Sequence, residues 1–134
     1  MVINLNYFDI YKFLLQYVKD HRQATFQEIL NTFGNSDLGL NLRKEIGDRD
    51  SIFMLSDTLA NLIDDGLIIG KYETTKPSGE NVFAIQRLTT DGFSYLAALR
   101  KPNAKEKLIS FAKENGIAPT LQNMSKLAAQ LLFD

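Results

Sequence analysis

The sequence predicts a mainly helical α+β fold built around one β-hairpin, and three observations predict it. From Ser51 to Asp65, the residues Ile52, Leu55, Leu59, Leu62 and Ile63 recur at spacings of three and four, the stripe of an amphipathic helix. Leu67–Glu73 and Val82–Leu88 are strand-like runs, and the link between them holds Pro77, Gly79 and Asn81, all turn formers. Thr25 and Thr89 stand where helix N-caps are wanted, and Gly66 where a left-handed C-terminal cap is wanted.

Taken in order, the first helix runs from Asn6 to Lys19, with Asn6 as cap and Asp9 complementing the helix dipole. Ile10, Phe13, Leu14, Tyr17 and Val18 make its buried face, widened by Tyr7, Phe8 and Tyr11. His21 is the only histidine and follows the last turn, where capping or solvent contact is its ordinary role. Thr25-Phe26-Gln27-Glu28 is a capping box that opens a second helix, packed through Phe26, Ile29, Leu30 and Phe33 and stopped at Gly34. Residues 35–50 are ambiguous: Leu38, Leu40 and Leu42 alternate as in a short strand, whereas Leu42–Ile46 could be one helical turn. Arg43, Lys44 and Arg49 alternate there with Glu45, Asp48 and Asp50, so a solvated mixed-charge loop is expected. A third helix starts at Ser51, with Asp50, Met54, Asp57, Thr58, Asn61, Asp64 and Asp65 expected to point outward. After the hairpin, Thr89 caps a helix that returns Phe93, Leu96, Ala97 and Leu99 to the core. Pro102 separates it from a helix near Ala104–Asn115 ended by Gly116, and Pro119 opens a last one to about Phe133.

Helix, Gly-Leu-Ile, hairpin, Leu-Thr-x-x-Gly is the outline of a winged helix-turn-helix with a two-stranded wing. Residues 1–100 are read as that domain, and 101–134 as a helical extension that packs on it or at a dimer interface. Leu121, Met124, Leu127, Ala128, Leu131 and Leu132 stripe its last helix, so a homodimer through residues 120–133 is expected.

Composition narrows the role. At 134 residues, 45% hydrophobic and 23% charged, the chain can bury one core without metal or disulfide help. Nothing approaches the roughly 20 apolar residues of a membrane span. MVINLNYFD lacks the pattern of a secretory signal, and there are no cysteines, so a cytoplasmic address is expected. A net charge of −1 gives no overall attraction to nucleic acid. The charge is unevenly spread, however. Residues 34–66 carry three basic against seven acidic groups, net −4, whereas 67–134 carry nine against six, net +3.

If the helix from Ser51 lay in a major groove, only Asn61 and Thr58 could bond a base edge. Asp57, Asp64 and Asp65 would meet phosphate repulsively, Asp57 most directly. Lys71, Lys76 and Arg87 on the wing, with Arg49, Arg100 and Lys101, are the candidate phosphate contacts. Edge lysines also serve simply to discourage strand pairing between molecules. No zinc-protease motif, phosphate-cradling glycine loop or Ser/His/Asp set is present. Asp64-Asp65 and Asp48/Asp50 have no calcium-loop spacing. No enzyme, cofactor or metal is expected.

Gly66-Leu67-Ile68-Ile69-Gly70 entering the wing and Leu88-Thr89-x-x-Gly92-x-x-Tyr95-Leu96 after it resemble the YjcQ-like family of small bacterial and prophage-borne winged-helix proteins. The likeness covers roughly residues 51–115, and its motifs specify packing. It implies a winged-helix fold and a phage or mobile-element setting, with no binding or catalytic residues to carry over. Two functions follow as expectations. The first is a DNA-binding transcriptional regulator of phage or prophage type. The second is a protein-binding module that inhibits a host or defence protein through its acidic helix face, Asp57, Asp64 and Asp65.

Overall fold

The computed structural model describes residues 6–75, 78–101, 106–107, 110 and 113–116. Four helices precede the hairpin: α1 (Asn6–Asp20), α2 (Phe26–Gly34), α3 (Asp37–Ile46) and α4 (Asp48–Asp64). Strands β1 (Ile68–Thr74) and β2 (Asn81–Leu88) pair antiparallel, and α5 (Thr90–Leu99) follows. The architecture is therefore mainly helical with one two-stranded sheet, an α+β fold.

The extra helix corrects the sequence expectation of three. Residues 37–46 are neither strand nor loop but α3, capped by the Ser36 hydroxyl, which accepts from the Gly39 N–H at 3.0 Å. Leu42 is its buried contact, and the Arg43 guanidinium donates to the Gly34 carbonyl at 2.9 Å. The mixed charges of this stretch thus ride on a helix that buries Gly39 and Leu42 and packs Leu38 and Ile46 on the core, a spacing of four overlaid in the sequence by the strand-like alternation of Leu38, Leu40 and Leu42. Gly47, at φ 87°, serves as the hinge between α3 and α4, a conformation that side-chain-bearing residues resist. That single residue lets α4 begin at Asp48, three residues before Ser51.

One core holds these elements together. Tyr11, Leu14 and Leu15 of α1, Ile29 of α2, Leu42 of α3, and Leu55, Leu59 and Leu62 of α4 are completely buried. Ile68, Ile85 and Leu88 bring the sheet onto them, and Tyr95 of α5 meets Tyr11 edge-on with ring centroids 6.3 Å apart. The expected stripe of α4 holds at Leu55, Leu59 and Leu62 but not at Ile52, which is 41% exposed. Phe93 and Ala97 do not return to the core either. Phe93 is 48% exposed and Ala97 lies on the outer side of α5, because Tyr95, Leu96 and Leu99 already fill its inner side.

The caps expected at Thr25, Gly66 and Thr89 form, whereas Asn6 is already part of α1 and α2 includes Gly34 and takes Asn35 as its C-cap. The Thr25 hydroxyl accepts from the Glu28 N–H at 3.2 Å, and Gly66 takes a φ of 75° at the end of α4. The Thr89 hydroxyl accepts from Gly92 N–H at 2.9 Å and itself donates to the Gly66 carbonyl at 2.7 Å. Gly92 lies so close to the Leu67 carbonyl that a Cβ there would sit 2.0 Å from it. Beyond α5, residues 106, 107, 110, 113 and 114 are helical, and Gly116 has a φ of 62°. No helix among the described residues is long and apolar enough to cross a membrane. The expected helix and dimer contact at 120–133 lie outside the described residues.

Candidate nucleic-acid interface

The hairpin is held against α4 by two side-chain bonds. Tyr72 donates its hydroxyl to an Asp64 carboxylate oxygen at 2.7 Å, and the Asn81 amide donates to the Ser56 hydroxyl at 2.9 Å. The Asp64 hydrogen bond holds the Tyr72 phenol above its ordinary pKa of 10.0, with burial and the Asp64 charge pushing the same way. Phe83 fills the space beneath, stacking on Phe26 with centroids 5.2 Å apart.

Register decides which hairpin residues face outward. Lys71 pairs with Ala84, Gly70 with Ile85 and Ile69 with Arg87, leaving Gln86 as a bulged extra residue. Ile85 and Leu88 consequently turn inward while Gln86 and Arg87 are both exposed. Lys71 and Arg87 share the outer face, Lys71 midway along it and Arg87 at its foot. The Arg87 guanidinium donates to the Leu88 carbonyl at 3.2 Å. Lys76 lies outside the described residues.

On α4, Arg49 is exposed and its guanidinium carbon stands 5.6 Å from the Phe53 ring centroid, a cation–π distance. Asn61 is half-buried, and Asp57, Asp64 and Asp65 are exposed. Thr58 does not point outward. It is fully buried and donates its hydroxyl to the Met54 carbonyl at 2.6 Å, so it cannot read a base. Met54, also expected to face solvent, is half-buried against the core. With stripes of Leu55, Leu59 and Leu62 on one side and Ser51, Thr58 and Ala60 also buried, the core-facing arc of α4 is wider than its leucines alone indicate. Arg100 and Lys101 are exposed immediately after α5.

A group that sequence reasoning missed lies at the foot of the hairpin. The turn between α1 and α2 closes on the free edge of β2, where the Gln23 N–H donates to the Gln86 carbonyl at 2.9 Å. Lys19 and Arg22 thereby meet Arg87, and Phe93 stands beside them, around a cleft of about 300 Å³. The spacing of Val18, Lys19 and Arg22 by one helical turn was visible, but their convergence with Arg87 depends on a contact 63 residues away in sequence. His21, by contrast, takes the expected terminal place, its N–H donating to the Tyr17 carbonyl at 2.8 Å and its ring stacked on Tyr17.

No family model, curated protein or solved structure matches this chain.

Proposed function

We propose that this chain is a winged-helix nucleic-acid-binding protein, a cytoplasmic transcriptional regulator of phage or prophage type, that grips phosphates instead of reading bases through α4. The observation that carries this reading is the outer hairpin face, where Lys71 and Arg87 are exposed on a hairpin locked to α4 through Tyr72–Asp64 and Asn81–Ser56. The order of helices, hairpin and α5, the Gln23 bond to the free edge of β2, and the YjcQ-like residues around Gly66 and Thr89 support the winged-helix assignment. Lys76 follows in the sequence, Arg49, Arg100 and Lys101 are the further exposed cations of this reading, and residues 120–133 are its proposed dimer contact. Of the two α4 residues with base-reading chemistry, Thr58 is buried and Asn61 half-buried, which leaves the affinity to the phosphate contacts.

The test is fluorescence anisotropy of a labelled duplex across a salt series. Each neutralised phosphate contributes about −0.9 to the slope of log K against log salt. Replacing Lys71, Lys76 and Arg87 together by Ala flattens that slope by roughly two to three units. Absence of binding at low salt abolishes the regulator reading.

A specific observation favours a second reading. Asp48, Asp50, Asp57 and Asp64 are exposed on α4, and its cap Asp65 is exposed as well, against Arg49 as the helix's one base. Such a face suits a basic protein partner, in the manner of an inhibitor of a host or defence protein. In that case Asp57→Asn weakens the complex and the hairpin substitutions leave it intact.

A further inference from the structure

We propose that the cleft between the end of α1, the foot of β2 and the first turn of α5 binds a nucleotide, at a site that shares Arg87 with the proposed duplex-binding face but does not use Lys71. Lys19, Arg22 and Arg87 contribute positive charge and Phe93 apolar surface, over a floor formed by the buried Val18 and Leu88. These residues come from α1, the α1–α2 turn, β2 and α5, and no residue of α4 lines the cleft.

Three features point to a small ligand of mixed character. The volume, about 300 Å³, is at the small end of ligand pockets and is concave, whereas duplex phosphates ride along open ridges. Two of the three cations are arginines, whose planar forks take phosphate oxygens in pairs. Arg87 gives one N–H to the Leu88 carbonyl and has further donors on the same guanidinium. Beside them the half-exposed Phe93 offers a ring face on which a base stacks. An anion alone would have no use for that ring, and an apolar ligand none for three cations. The nearest acids in sequence, Asp20 and Asp91, are exposed and neither lines the cleft. Asp20 accepts from the Gln16 amide at 2.8 Å.

The backbone carries an independent mark of the same place. Gln23 has a φ of 60°, the one non-glycine residue with positive φ among those described, and it adjoins Arg22. Left-handed backbone costs a side-chain-bearing residue stability and persists where its surroundings impose it. Here Gln23 bonds the bulged residue of β2 through its N–H. Strained turns and bulges concentrate where a side chain must be aimed. Both of these flank an arginine of the cleft.

The test titrates the full ¹⁵N-labelled chain with ADP, and in parallel with adenosine, inorganic phosphate and a short single-stranded oligothymidylate. ADP is expected to shift the amide signals of Lys19, Arg22, Arg87 and Phe93 saturably, and to bind more tightly than any of the other three. Arg22→Ala weakens ADP about tenfold or more, and Phe93→Ala about fivefold or more. Lys71→Ala weakens duplex binding but leaves ADP binding unchanged, which separates this site from the regulator reading. The proposal is overturned if ADP shifts nothing in the cleft, or if Arg22→Ala binds ADP as wild type does. Phosphate binding as tightly as ADP reduces the cleft to an anion contact, and tighter oligothymidylate binding assigns it to a polymer; either result also overturns it.

Discussion

The outward face of α4 and the foot of the hairpin are two surfaces of the same small core with opposite chemistry. The first exposes Asp57 and Asp64 and buries Thr58, one of the two residues able to read a base. The second gathers Lys19, Arg22 and Arg87 from three parts of the chain around a ring, with Lys71 further along the sheet. In a winged helix the recognition helix is assigned by its place before the hairpin, yet the helix in that place here exposes Asp57 and Asp64, which would repel an approaching phosphate. Position in a fold therefore identifies a role less well than the charges an element turns outward. In the proposed reading, attraction belongs to Lys71 and Arg87 on the hairpin and to the cations at its foot, with Glu73 and Glu80 the acids exposed beside them.

Substitutions sharpen the contrast, beginning with the two sides of α4. Leu59→Ala removes a side chain with no solvent exposure and should cost about 2–5 kcal/mol in urea melts. Asp57→Ala, on the exposed side, should stay within about 0.5 kcal/mol. A Leu59→Ala loss as small as that would place the stripe in solvent. Next, Asn81→Ala deletes the amide that bonds Ser56 and the oxygen that accepts from Thr74 at 2.7 Å. A loss of about 1 kcal/mol follows, together with shifted amide signals on both Ser56 and the hairpin; signals confined to the hairpin would show that the two elements are not coupled there. Thr58→Val comes third. Its hydroxyl donates to the Met54 carbonyl within α4, so stability falls by about 1 kcal/mol or less and duplex affinity stays put. A marked drop in affinity would return Thr58 to the binding face.

The smallest effect is electrostatic. Because Asp64 holds the Tyr72 phenol above its ordinary range, the folded state keeps that proton longer than the unfolded chain does. The pair's contribution is complete below the ordinary tyrosine pKa, about 10, and fades as pH rises through the higher folded value. Ultraviolet titration of wild type against Asp64→Asn should show one phenol moving to lower pH in the variant; identical curves would mean that the Tyr72–Asp64 bond does not form in solution.

Legibility followed the range of the interactions. The pairing of Gly66-Leu67 with Leu88-Thr89-x-x-Gly92 was visible as a motif because its residues do one local job. Thr89 caps α5 while bonding Gly66, and Gly92 admits the Leu67 carbonyl. Thr25 and the two strands were legible for the same reason, each written in a few adjacent residues. Helix α3 was not, since its four charged residues and the alternation of Leu38, Leu40 and Leu42 obscure the spacing of four by which Leu38, Leu42 and Ile46 pack on the core. The outward list for α4 failed at Thr58 because a helix packed against α1, α3 and β1 buries more than an apolar stripe. Phe93 was read as core from its hydrophobicity, although Tyr95, Leu96 and Leu99 already occupy the inner side of α5. The cationic cleft depends on Gln23 meeting Gln86, and no local pattern announces a contact of that separation. Of the expected phosphate contacts, Lys71, Arg87, Arg49, Arg100 and Lys101 are exposed. Their spacing along the chain said nothing of the face shared by Lys71 and Arg87.

The division between an attractive hairpin and a repulsive helix is tested most directly by duplex affinity at one low salt concentration for wild type, Asp57→Asn and Lys71→Ala. Asp57 is exposed on α4 and Lys71 on the outer face of β1, so neither change disturbs the core. The account predicts opposite signs: Asp57→Asn tightens binding about two- to fivefold, the scale of one exposed charge, and Lys71→Ala loosens it by a similar factor. Weaker duplex binding by Asp57→Asn would contradict the account, because α4 would then be contributing to the grip that the hairpin is held to provide.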